Sequence, residues 1–231
     1  MKTDTALCAY EISYVYHGRR GKCKAIDSLS CTLSPGRVTA ILGPSGSGKS
    51  TLGLLLAGLL KPDSGEISFE NNVKPTPKDI AYLFQFPEQL FSEETVEKEL
   101  CRNGNVTTEE ARRALQNVGL QPDDFLQCGP FELSGGQARL VATAVQLARP
   151  SRAVIFDEPT AGLDWKMRAN MRRVIREQAD AGKIVGLITH HLPFAESVSD
   201  DVIVLGDGRI QWEGNPEQLL KDSETRRRLK I

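Results

Sequence analysis

An apolar run, Val38-Thr39-Ala40-Ile41-Leu42, feeds directly into Gly43-Pro44-Ser45-Gly46-Ser47-Gly48-Lys49-Ser50, and a second apolar stretch follows. Glycines at that spacing let successive backbone N–H groups curl around oxyanions. A helix starting near Lys49 adds the partial positive charge of its N-terminus. The spacing, with a strand before it and a helix after it, is that of a phosphate-binding loop. Lys49 is then expected to reach the β- and γ-phosphates of a nucleotide, and the Ser50 hydroxyl to ligate Mg²⁺. Without those flanks the stretch would be only a glycine-rich turn ahead of a core helix.

Further along, Ala153-Val154-Ile155-Phe156 is an apolar strand that ends in two carboxylates, Asp157 and Glu158. A carboxylate at a strand end can hold Mg²⁺ through water, a role assigned to Asp157. The next one, Glu158, points elsewhere along the pleat and can polarise an attacking water as general base. His190 follows the run Ile184–Thr189 at the C-terminal edge of the same sheet, where ligands gather in open α/β folds, and could there bond a γ-phosphate. His191, facing the other way, reads as structural. Taken alone, an Asp-Glu strand end or a strand-end histidine is ordinarily just a polar terminus; the phosphate loop changes that reading. Between the two sets lies Leu133-Ser134-Gly135-Gly136-Gln137, a far more restrictive pattern. It points to half of a catalytic site, completed by a second protein surface.

These groups need a sheet to position them. Tyr10 to Tyr16 and Ile26 to Leu33 are rich in β-formers, and the Pro62-Asp63-Ser64-Gly65 turn precedes an expected edge strand, Glu66 to Phe69. Met167, Met171, Val174, Ile175 and Gln178 make a mostly apolar helix face between two strands, Ala153–Phe156 and Ile184–Ile188. Strand, helix, strand implies right-handed crossovers and a parallel sheet. From about Pro87 to Phe131 the character changes. Thr107-Thr108-Glu109-Glu110 has capping-box form, Ala111, Leu115 and Val118 follow at helical spacing, and Gly119 closes the helix. Residues 87–131 therefore read as a small helical subdomain inserted between the halves, 1–86 and 132–231, of one α/β domain. Thr225 to Ile231 reads as a short, basic, solvated tail.

Composition narrows the function classes. The 231 residues carry 29 basic and 30 acidic side chains, a net charge of −1, which gives no global electrostatic case for nucleic acid. A chain of this length buries about 70–75% of its unfolded surface and needs no disulfide or metal staple. The five cysteines (Cys8, Cys23, Cys31, Cys101, Cys128) are scattered, without C-x-x-C or zinc spacing, and are expected to be reduced. Met1-Lys2-Thr3-Asp4 opens no apolar leader. The strongest apolar run, Leu52–Leu60, is broken by Gly53 and Gly58 and falls far short of the ~20 residues that cross a bilayer. The expectation is a soluble chain whose membrane association is borrowed from a partner.

Taken in order, the motifs resemble those of ATP-binding-cassette (ABC) ATPase subunits over nearly the whole chain. Gly43–Thr51 matches the Walker A segment, Gln85 the Q-loop, Leu133–Gln137 the signature and Ala153–Glu158 the Walker B segment. Ala161-Gly162-Leu163-Asp164 matches the D-loop, and His190 the switch histidine. The resemblance implies a P-loop NTPase (RecA-like) α/β core with an antiparallel β subdomain and an inserted α-helical subdomain. It implies ATP hydrolysis with Mg²⁺ in a head-to-tail dimer that holds two ATP molecules between its subunits. Each ATP would meet Gly43, Pro44, Ser45, Gly46, Ser47, Gly48, Lys49, Ser50 and Thr51 of one subunit. It would also meet the segment Leu133, Ser134, Gly135, Gly136 and Gln137 of the other. Carried over by position, Lys49, Gln85, Glu158 and His190 are catalytic, and Ser50, Gln85 and Asp157 hold Mg²⁺. Gln85 would report occupancy through the helical insertion, and Asp164 would link the two sites. Tyr16 stands where the family stacks an aromatic on adenine, with Tyr14 competing for that role and sheet packing the alternative for Tyr16.

A narrower similarity lies in Phe84-Gln85-Phe86-Pro87-Glu88-Gln89-Leu90-Phe91-Ser92-Glu93-Glu94-Thr95-Val96, and again in Glu213–Leu220. Both resemble segments of the ATPases of energy-coupling-factor importers, which take up vitamins or transition-metal ions. The partners this implies are a second ATPase, identical or a sister chain, a transmembrane scaffold subunit and a substrate-binding membrane subunit, with no nucleic acid. The implied location is the cytoplasmic face of the membrane. Two residues depart from the family pattern: Ala138, where a basic or polar residue is usual, and His191, where Asp is common. An exporter or lipid-transport ATPase and a non-transport cassette protein are the alternatives. A phosphate-loop kinase would leave Leu133–Gln137 unexplained.

Overall fold

The apolar runs Val38–Leu42, Ala153–Asp157 and Ile184–Ile188 are buried at every position, as parallel strands covered on both faces must be. The computed structural model describes residues 5–18, 21–102 and 106–229. Met1–Asp4 and the last two residues of the expected tail, Lys230 and Ile231, lie outside them. The strands are β1 (Leu7–Gly18), β2 (Gly21–Leu33), β3 (Val38–Leu42), β4 (Ser64–Phe69), β5 (Ile80–Leu83), β6 (Ala153–Asp157), β7 (Ile184–Ile188), β8 (Asp201–Gly206) and β9 (Arg209–Gly214). The helices are α1 (Lys49–Leu56), α2 (Val96–Cys101), α3 (Thr108–Asn117), α4 (Pro122–Phe125), α5 (Gly135–Leu147), α6 (Trp165–Asp180), α7 (Leu192–Val198), α8 (Pro216–Lys221) and α9 (Ser223–Leu229). Two compact units result. The first comprises Met1–Tyr82, Arg152–Glu158 and Ile175–Ile231, and the second Leu83–Ser151 and Pro159–Val174. The second thus takes in α5 and α6 up to Val174 as well as the segment from Pro87 to Phe131.

In the first unit, a six-stranded sheet of order β5-β6-β7-β3-β8-β9 accompanies a three-stranded sheet of order β2-β1-β4. β6, β7, β3 and β8 pair in parallel, β8 and β9 antiparallel, and β1 pairs antiparallel with both β2 and β4. The strand expected at an edge, β4, is at one. The side-chain period of two divides the core. Ile41 joins Leu52, Leu55 and Leu56 of α1 and Leu7, Ile12, Leu33 and Phe69 of the three-stranded sheet. Its neighbours Ala40 and Leu42 join the opposite cluster, with Leu192 and Ala195 of α7, Leu219 of α8 and Leu229 of α9. All five cysteines are free thiols, and burial pushes that of Cys31 up to about 12.

The second unit is helical. The expected capping box forms at α3: the Glu110 N–H donates to Thr107 Oγ1 (3.3 Å) and the Thr107 N–H to Glu110 Oε2 (2.8 Å). Ala111 and Leu115 are buried, and Gly119 follows the helix at φ 80°. α5 buries Ala138, Leu140, Val141 and Ala144.

The tail is a correction to the sequence reading. Thr225–Leu229 belongs to α9, begun by Asp222 accepting the Thr225 N–H at 2.8 Å. Leu229 is only 8% exposed. The run Arg226-Arg227-Arg228 looks solvated by composition, but the leucine after it finds the apolar face made by β3 and β8. Replacing Leu229 with Ala should cost about 2 kcal/mol in urea unfolding. A loss below about 0.5 kcal/mol, ordinary for a surface site, would show that α9 is not docked.

Candidate functional site

The loop after β3 depends on glycine where backbones nearly touch. Gly43 has φ 143° and Gly48 φ 102°. A Cβ at Gly43 would stand 2.2 Å from the Leu205 carbonyl oxygen, and one at Gly48 2.5 Å from that of Ala25. No other residue fits both the turn and the approach. α1 then begins at Lys49, which is buried and donates from Nζ to the carbonyl oxygens of Gly43 (2.8 Å) and Pro44 (2.9 Å). An ammonium has three protons, so one donor remains for a ligand. Burial lowers the Lys49 pKa, while Glu158 and Asp157 oppose the shift. Ser47 Oγ is buried with no hydrogen-bond partner.

Asp157 ends β6 and is 5% exposed. Its Oδ2 accepts from the Tyr82 hydroxyl of β5 at 2.8 Å, whereas Oδ1 is buried and has no partner. Burial raises its pKa above the usual carboxylate range, and the Tyr82 phenol and the Ser50 hydroxyl pull it partly back. Two orphaned buried oxygens, Ser47 Oγ and Asp157 Oδ1, thus occur at a loop and a strand end beside a buried ammonium. Leaving such atoms unmatched costs about 1–3 kcal/mol each. Hard oxygen donors of this kind suit Mg²⁺, and N–H groups and an ammonium suit phosphate. The residues present fit both.

Glu158 takes φ 49°, uncommon for a side chain with a Cβ. Its N–H donates to the Ile188 carbonyl oxygen at 2.9 Å. Its Oε1 lies 2.7 Å from His190 Nδ1, and its Oε2 accepts from the Thr189 hydroxyl at 3.3 Å. His191 has the expected structural role, as its Nδ1 accepts the Phe194 N–H (3.1 Å) and caps α7. Of the two tyrosines, Tyr14 packs against the core cluster, while Tyr16 is exposed with its hydroxyl 3.4 Å from Thr51 Oγ1. Their rings meet edge-on at 4.9 Å.

In the second unit, Ser134 caps α5. The Gln137 N–H donates to Ser134 Oγ (3.4 Å) and the Ser134 N–H to Gln137 Oε1 (2.9 Å), leaving Ser134 and Gly135 exposed at a 13-residue helix's N-terminus. A Cβ on Gly136 would stand 2.5 Å from Met167 Sδ, so this turn packs closely on the start of α6. Asp164 caps α6, its Oδ1 accepting the Met167 N–H at 2.8 Å. Gln85 is exposed, and its carbonyl oxygen accepts from Nη2 of the buried Arg139 at 2.7 Å. Ala138, the departure from the family pattern, is also buried, which gives an apolar residue a physical reason there.

The first unit therefore brings Tyr16, the 43–51 loop, Asp157, Glu158 and His190 to its sheet edge. The second holds Gln85, Leu133–Gln137 and Asp164. Sequence reasoning missed Tyr82, Arg139 and Thr189. The one available signal was a charged residue, Arg139, on the apolar face of a helix.

Residues 26–161 match the family model described as ABC transporter. The energy-coupling factor transporter ATP-binding protein EcfA2 of Mycoplasma pneumoniae is 38% identical over 217 residues, which cover 86% of this chain and 71% of that protein. Among solved structures, cbiO1 from Clostridium perfringens, part of the ABC transporter complex cbiONQ, matches with a TM-score of 0.80 at 30% identity. The match covers 97% of this chain and 94% of that one. The cassette MJ0796, solved as a dimer in a post-hydrolysis state bound to ADP and Pi, matches with a TM-score of 0.80 at 25% identity, over 91% of this chain and 98% of that one. With its phosphate loop, acidic strand end and histidine gathered as described, this chain belongs to the ABC transporter family as an ATP-hydrolysing cassette, among the energy-coupling factor transporter ATP-binding proteins.

Proposed function

We propose that this chain binds and hydrolyses ATP in a head-to-tail dimer that drives an energy-coupling-factor importer of vitamins or transition-metal ions. One observation carries the hydrolytic reading. The 43–50 loop, Asp157 and the Glu158–His190 pair stand at the C-terminal ends of β3, β6 and β7, which are adjacent parallel strands, where open α/β sheets bind ligands.

In this reading the loop N–H groups and the free Nζ–H of Lys49 bind the β- and γ-phosphates, and Tyr16 offers its exposed ring to adenine. Ser50 and Asp157 would hold Mg²⁺, which when bound neutralises developing charge on the phosphate oxygens. Glu158 accepts a proton from the attacking water. His190, bonded to Glu158 Oε1 at 2.7 Å, orients that carboxylate and meets the γ-phosphate. Ser134, Gly135 and Gly136 of the facing subunit close the site, with the exposed N-terminus of α5 aimed at phosphate. Asp164 links the paired sites.

Membrane partners complete the reading. Among the described residues no helix is long and apolar enough to cross a membrane. The second unit contains a cavity of about 330 Å³ lined by Leu90, Phe91, Glu99, Arg102, Ala142 and Val145, among others. Leu90 is 51% exposed. Such a groove suits a helix of a transmembrane scaffold subunit, which would carry a separate substrate-binding membrane subunit and hold this chain at the cytoplasmic face.

Glu158→Gln should keep ATP binding, lower kcat at least about 100-fold and accumulate a nucleotide-stabilised dimer in sedimentation. Near-normal turnover would remove Glu158 as the base. Ser134→Arg and Lys49→Ala should each abolish hydrolysis alone. If the chain pairs with itself, mixing them should restore about a quarter of the activity, because half the dimers are mixed and each holds one intact site. Full activity in monomeric Ser134→Arg would contradict a site shared between subunits.

A further inference from the structure

We propose that Tyr82 is a positioning residue for the Mg²⁺ ligand Asp157, locking its carboxylate so that a single oxygen, Oδ1, is presented to the metal. The inference rests on the assignment of Asp157 as a metal ligand. Both residues belong to the first unit and both are buried, at 4% and 5% exposure. β5 and β6 are neighbours in the sheet, and the Tyr82 hydroxyl donates to Asp157 Oδ2 at 2.8 Å. A bond from a neutral donor to an ionised acceptor is among the stronger ones in a low-dielectric interior. It fixes the carboxylate torsion, which is otherwise broad. Oδ1 is then left buried and without a partner.

The slot for the phenol is built into the phosphate-loop helix. Gly53 lies in the interior of α1, where glycine is a poor helix former. A Cβ there would stand 3.2 Å from both Tyr82 Oη and Cε2, and 2.6 Å from Ile188 Cδ1. Glycine at this position lets the ring pass beneath the helix that carries Lys49 and Ser50 and reach the end of β6. The loop helix and the metal carboxylate are therefore set relative to each other through one aromatic side chain. A phenylalanine would fill the same slot. What the hydroxyl adds is its bond to Asp157.

Outer-shell partners of metal ligands typically contribute 10–100-fold in metal affinity. The test compares the chain with Tyr82 and Asp157 intact, Tyr82→Phe and Asp157→Asn, each in the Glu158→Gln background to stop turnover. Mn²⁺ is titrated by electron paramagnetic resonance with ATP present, and the Mg²⁺ dependence of kcat is measured in the Glu158 background. Tyr82→Phe should weaken Mn²⁺ binding about tenfold and raise the Mg²⁺ needed for half-maximal rate in parallel. ATP KM at saturating Mg²⁺ and the thermal midpoint should barely move. Unchanged Mn²⁺ affinity in Tyr82→Phe, with weakened affinity in Asp157→Asn, would reduce Tyr82 to a packing residue. Unchanged affinity in Asp157→Asn would instead overturn the assignment of Asp157 itself.

Discussion

A carboxylate at the end of a strand buried at every position is the constraint on which the first unit depends. Asp157 cannot be solvated as an exposed aspartate is, and burial raises its pKa. The fold offsets part of this with the Tyr82 hydroxyl on one oxygen and the Lys49 ammonium nearby. It leaves the other oxygen unmatched. Natural proteins accept such deficits chiefly where a ligand makes them good. Lys49 is in a similar position, since its two backbone acceptors do not exhaust its donors. Loop and strand end are thus preorganised for opposite charges, and each is costly alone.

Much of this was legible in the sequence, for a physical reason. Phosphate loops and caps are local. The Gly43–Ser50 spacing and the Thr107–Glu110 box encode their geometry within a few residues, and the apolar runs of β3, β6 and β7 announce two covered faces. The missed features are non-local. Tyr82 reaches Asp157 across 75 residues of chain, and nothing in Ile80-Ala81-Tyr82-Leu83 distinguishes a tyrosine that packs from one that donates. Arg139 stands out as a charge on an apolar helix face, but its partner, the Gln85 carbonyl oxygen, lies 54 residues away in the chain. Three arginines mask Leu229 in the sequence, and its burial depends on Ala40, Leu42, Val202 and Val204, which belong to distant strands.

Glu158 shows how backbone and side chain share one task. Its φ of 49° is paired with an N–H bond to Ile188 on β7. Departing from strand geometry just after β6 turns its carboxylate toward Thr189 and His190, which follow β7. Two strand ends are thereby tied by one residue. Conformations of this kind persist only where the surroundings enforce them, and they concentrate at functional sites. Asp157, one residue earlier, keeps its strand geometry and stays buried. The adjacent carboxylates therefore have different environments, the usual means of giving two like groups different roles.

In the second unit a single helix carries three proposed functions in sequence. α5 opens with Ser134 and the exposed Gly135, holds the Gln85 carbonyl oxygen through Arg139, and lines the Leu90–Phe91 cavity with Ala142, Val145 and Gln146. From Ser134 to Val145 the axial rise is about 16 Å, and an intact α-helix of that length moves as a body. The cavity lining, the contact to the Gln85 backbone and the helix N-terminus are thus all carried by one continuous helix. The close packing of Gly136 on Met167, and the Asp164 cap beneath it, extend the same body to the start of α6. In the proposed assembly, the shortest physical link between a membrane partner and ATP inside this unit would be this one helix, which lines the groove, bonds the Gln85 segment and begins at the signature turn.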